Sequence, residues 1–87
     1  MSTVIHYYEE YAPEHLAHIV QTDRGNSYTV DTCYIHDNRA YEVEVKDFQT
    51  GKIITNREFT IDQSLSRPNA EKLHLRMIEN LEEFVKE

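Results

Sequence analysis

The segment SYTVDTCYIHDNRAYEVEVKD, residues 27–47, decides the fold. Tyr28, Val30, Thr32 and Tyr34 alternate with more polar neighbours, and Tyr41, Val43 and Val45 alternate with Glu42, Glu44 and Lys46. Period-two alternation marks half-buried strands, because successive side chains leave opposite faces of the sheet. Between the two runs, Asp37-Asn38 supplies a two-residue hairpin turn whose residue types tolerate positive φ. Folding about that turn sets Val30 opposite Val45, Thr32 opposite Val43 and Tyr34 opposite Tyr41. On the other face Asp31 meets Glu44, and Cys33 meets Glu42.

Working outward, Gln49-Thr50-Gly51 suits a three-residue loop with Gly in the left-handed position. A third strand to Ile61 then carries Ile53, Thr55, Arg57, Phe59 and Ile61 on the inner face. This register sets Glu58 opposite Glu42 and completes the inner rows Val30–Val45–Thr55, Thr32–Val43–Arg57 and Tyr34–Tyr41–Phe59. Two turns agreeing on one inner face support the register, since a one-residue slip would reverse every side chain. Arg57 is the odd member, a charge placed inward that snorkels past an edge.

From about Pro68 to Lys86, Ala70, Leu73, Met77, Ile78, Leu81, Phe84 and Val85 fall within a stripe of roughly 140° at helical spacing. Pro68 near the first helical position, with Ser66 and Asn69 as capping candidates, marks its start. Upstream, Pro13 and Glu14 read as another helix start, and Leu16, Ile19 and Val20 follow at i, i+3, i+4. They predict a short helix ending near Thr22. The competing reading makes Leu16–Thr22 a strand, hairpinned through Asp23-Arg24-Gly25-Asn26. Thr3–Tyr8 suits an edge strand. The expected fold is α+β over a single domain, 1–87. A three- to four-stranded antiparallel meander carries the long C-terminal helix across one face, with a short N-terminal helix beside it.

Eighty-seven residues bury only about 60–65% of the surface exposed by the unfolded chain, so the core is thin. Sixteen acidic residues against nine basic ones give a net charge of −7. That balance disfavours nucleic acid and anionic lipid, which need clustered cations. One cysteine, Cys33, leaves no internal disulfide and suits a reducing compartment. Met1–His6 has no basic start or apolar run, so no signal peptide is read there. No apolar stretch approaches the length of a membrane span. A soluble cytoplasmic protein is expected.

The candidate site is the outer sheet face. Asp31, Glu42, Glu44 and Glu58 share adjacent rows there, with Lys46 the one nearby cation. Like charges directly across strands cost roughly 0.2–1 kcal/mol per pair. The cluster suits docking on a basic protein surface, imitation of nucleic-acid phosphates, or an oxygen-liganded cation; splayed, solvated side chains are the plain alternative. Glu82, Glu83 and Glu87 add acid to the last helix, against its dipole. Tyr7, Tyr8 and Tyr11 suit a binding surface, since tyrosine combines large contact area with few rotors and a polar tip.

The remaining candidates are weaker. His15-x-x-His18 has helical i, i+3 spacing but lacks the further ligands of a zinc site. Cys33-x-x-His36 on a strand points to opposite faces, and carboxylates beside Cys33 raise its thiol pKa, the wrong direction for a nucleophile. There is no phosphate loop, nucleophile elbow or metalloprotease motif. No catalytic residue, metal or cofactor is therefore assigned.

In size, charge and lack of motifs the chain resembles the small acidic antagonists of phages and mobile elements, including anti-restriction and anti-CRISPR proteins. That resemblance is one of class and transfers no residues. It implies a non-enzymatic module that occludes a basic or nucleic-acid-binding surface of its protein target. The alternatives are a small metal- or ligand-binding domain using His15, His18 and a carboxylate, and a structural subunit or homodimer pairing through a strand edge.

Overall fold

The computed structural model describes residues 2–10, 15–37, 39–55 and 66–86, with residues 6–10 described by their backbone alone. Four strands, β1 (Thr3–Glu10), β2 (His15–Gln21), β3 (Ser27–Ile35) and β4 (Ala40–Asp47), form an antiparallel sheet in chain order. Two helices follow, α1 (Arg67–Glu79) and α2 (Leu81–Val85). The α+β class and the sheet with a C-terminal helical layer are as the patterning predicts. Among the described residues no helix is long and apolar enough to cross a membrane.

The N-terminal helix is overturned, because His15–Gln21 is strand β2. Leu16, Ile19 and Val20 fit helical spacing, but seven residues are too few to sustain a helix without extensive packing. As a strand the segment has its backbone groups paired on both sides, with β1 and with β3. The β2–β3 connection shows how. Thr22 and Asn26 flank Asp23-Arg24-Gly25, with the Thr22 N–H donating to the Asn26 carbonyl at 2.9 Å. Gly25 takes φ +87°, the left-handed residue this three-residue loop requires.

The β3–β4 register is the predicted one, with Val30 opposite Val45, Thr32 opposite Val43 and Asp31 opposite Glu44. Beyond β4 the register departs from expectation by one residue. Asp47 N–H donates to the Lys52 carbonyl, enclosing Phe48–Gly51 as a four-residue loop with Gly51 at φ +72°. The Asp47 carboxylate accepts from Gln49 N–H and Thr50 N–H, which stabilises the longer turn. Lys46 therefore bridges Ile53, not Ile54. The faces are exchanged: Ile54 packs against the core and Ile53 is 51% exposed. The expectation that Ile53 and Thr55 point inward is corrected by this slip. Arg57, Glu58, Phe59 and Ile61 lie outside the described residues. Ile54→Ala should cost about 1–2 kcal/mol, and Ile53→Ala under about 0.5 kcal/mol, in urea unfolding. The reverse order would restore the three-residue loop.

The inner face of the sheet meets the helices. Val20, Tyr28, Val30, Val43 and Val45 pack with Ala70, Met77, Leu81 and Phe84, and all are buried. The expected single helix is broken at Asn80, whose backbone N–H and side-chain amide both donate to the Arg76 carbonyl. This break changes the electrostatics. Glu82 and Glu83 now occupy the first turn of α2, where the helix dipole favours negative charge. Their crowding, read as opposing a long helix's dipole, is locally favourable.

Candidate functional site

The outer face around β3 and β4 forms an open cavity of about 160 Å³ lined by His15, Asp31, Cys33, Ile35, Glu42, Glu44 and Lys46. Strand alternation explains the set. Asp31 and Cys33 share one face of β3, and their cross-strand partners Glu44 and Glu42 share the same face of β4. His15 joins them from β2 as the partner of Cys33.

Three carboxylates in one hollow must share protons and cations. The His15 imidazole donates from Nε2 to Asp31 Oδ1 at 2.6 Å. Lys46 Nζ lies 3.4 Å from Glu44 Oε2. Glu42 and Glu44 are hydrogen-bonded to each other. That bond, with burial and the Glu44 charge adding to it, pushes the Glu42 carboxyl up to about 7. The same bond holds Glu44 below the usual carboxylate range. One proton is thus kept between two neighbouring side chains, as expected where like charges cannot both ionise freely. Burial first, then Asp31, Glu42 and Glu44, pushes the Cys33 thiol up. A raised thiol is poor in thiolate, which disfavours nucleophilic chemistry there.

Of the predicted site residues, the structure brings together Asp31, Glu42 and Glu44. Glu58 and Tyr11 lie outside the described residues. Tyr7 and Tyr8 stand on β1 as the backbone partners of His18 and Ala17, and their side chains fall outside the description. His15 and His18 do not converge. His15 faces the acidic cavity, whereas His18 faces the helix and meets His74. Three residues apart on a strand, they cannot share an ion without a bulge. Among the described residues, no group of three or more His, Cys, Asp or Glu side chains has the geometry to hold a metal ion.

The residue that sequence reasoning missed is His74, wholly buried on α1. It bonds to Thr32 Oγ1 through Nδ1 and to His18 Nδ1 through Nε2, both at 2.7 Å. A signal existed: position 74 lies four after Ala70 and three before Met77, in the centre of the apolar stripe. No protein-family model, curated protein or solved structure matches this chain.

Proposed function

We propose that this chain is a non-enzymatic protein-binding module whose outer sheet face receives a basic surface of another protein. The supporting observation is the crowding of Asp31, Glu42 and Glu44, which leaves Glu42 holding a proton to about pH 7. A cationic side chain entering the cavity would replace that proton and relieve a repulsion already present in the free fold. The net charge of −7 favours such a partner and disfavours direct nucleic-acid binding. Tyr7, Tyr8 and Tyr11 supply apolar contact area in this reading.

The finer form of the proposal is an inhibitor of the phage or mobile-element type, working in the cytoplasm by occluding its target's basic surface. It rests on small size and acidity.

Capture from host lysate at low and high salt tests the reading. A basic partner retained at low salt and lost at high salt should bind the double variant Glu42→Lys/Glu44→Lys at least tenfold more weakly, about 1.4 kcal/mol. Circular dichroism establishes that the variant is folded. Undiminished capture by the folded variant would sink the proposal.

A further inference from the structure

Thr32, His74 and His18 form a chain of hydrogen bonds that crosses from β3 through α1 to β2. His74 is fully buried, Thr32 is 4% exposed, and His18 is half-buried. The two imidazole rings stand 4.9 Å apart at 58°. These polar links tie the helix to the sheet within a largely apolar layer. We infer that the chain is an acid-sensitive latch, holding α1 on the sheet at neutral pH and releasing it in acid.

The proton arithmetic gives the mechanism. With both rings neutral, one ring N–H donates to the other ring's lone pair, and the contact is satisfied. A first added proton is accommodated at His18, the more exposed ring. His18 Nδ1–H then donates to His74 Nε2, and His74 Nδ1–H donates to Thr32 Oγ1. A second proton, on His74, sets N–H against N–H at the 2.7 Å contact. Two positive charges then face each other, that of His74 wholly buried, and separation of the helix relieves both penalties. Burial, followed by the neighbouring His18, pushes His74 down to about 4, and burial pushes His18 down as well.

Around His74 the described side chains of β3, β4 and α2 are mostly uncharged. On β3 the same face carries Tyr28 and Tyr34, and on β4 it carries Tyr41 and Asp47, whose carboxylate is engaged by Gln49 and Thr50. α2 presents the apolar Leu81 and Phe84. On β1 the backbone partners of His18 and Leu16 are Tyr7 and Glu9. On α1 itself, Glu71, Lys72, Arg76 and Glu79 are exposed.

Amide hydrogen exchange on the full chain, corrected for intrinsic rates, tests the latch at about pH 7 and about pH 4. The amides of residues 67–79 should lose at least tenfold in protection on acidification, while those of β3 and β4 keep theirs. His74→Gln should remove this difference between helix and strands. Helix and strands losing protection together in the parent chain would overturn the inference, as would an undiminished difference in the variant. If His74→Gln fails to fold, His18→Gln serves, because it removes the second charge. Release of α1 should then begin at lower pH, and an unshifted onset would overturn the inference.

Discussion

Phe84→Ala is expected to remove about 3–5 kcal/mol of folding free energy. Phe84 is 1% exposed and packs in the cluster that joins Leu81 and Met77 to Val20, Val30, Val43 and Val45. It sits in α2, a helix of five residues that is far too short to persist by propensity. Packing therefore holds α2, and Phe84 and Leu81 are its buried anchors. A chain of this length has a net stability of roughly 4–13 kcal/mol, so this truncation removes a large part of it. Urea unfolding followed by far-ultraviolet circular dichroism reads the effect. Leu75→Ala is the control, since Leu75 is 57% exposed and should change stability by under about 0.5 kcal/mol. Equal effects from the two substitutions would mean that α2 is not docked on the sheet.

The second large effect is a stability that depends on pH in two opposing ways. His74 has a folded pKa of about 4 against an ordinary value of 6.5. The unfolded chain therefore binds more protons between those limits, and stability falls as the pH drops through them. The full shift corresponds to about 3 kcal/mol, present above 6.5 and lost by the time the pH has fallen through 4. Glu42 acts with the opposite sign. Its folded pKa is raised from 4.5 to about 7, so its contribution is present below 4.5 and lost as the pH rises through 7. Glu44, lowered by the same hydrogen bond, offsets part of that loss. Unfolding free energies measured across this range should fall less steeply in acid for His74→Gln than for the parent chain. Glu42→Gln should flatten the decline toward neutral pH. A His74→Gln acid slope as steep as the parent's would show that His74 does not govern acid stability.

The parts of this fold that could be read in advance are those where a turn and an alternation agree. Asp37-Asn38 and the Val30, Thr32, Val43, Val45 pattern specify the β3–β4 register independently, and the pairing follows both. Asp31, Glu42 and Glu44 come with that register, which is why the three carboxylates of the cavity were legible. The slip beyond Asp47 was not, because it depends on a side-chain carboxylate capping two backbone N–H groups and drawing Phe48 into the loop. The β2 segment misled because Leu16, Ile19 and Val20 satisfy helical spacing, while the observed strand takes its support from β1 and β3. Tertiary pairing overrode a short local pattern. Lys46 came with the same register, whereas His15 joined the cavity only through its cross-strand pairing on β2, a segment read as a helix. His74 was hidden by its polarity: a histidine in an apolar stripe reads as a break until its two partners are seen across the core.

Every strand in the sheet pairs with its neighbour in sequence, and the described connections between them are brief turns. The sheet can therefore assemble by successive closures of small loops, each of modest entropic cost. The helical layer differs, because bringing His74 to Thr32 and His18 spans 42 and 56 residues. Contacts of low sequence separation form early, and those of high separation wait for a longer search. During synthesis the first 47 residues leave the ribosome before any of the helix does. Until α1 and α2 emerge, Val20, Val30, Val43 and Val45 lack the cover those helices supply, so the nascent meander exposes apolar surface and is vulnerable to aggregation.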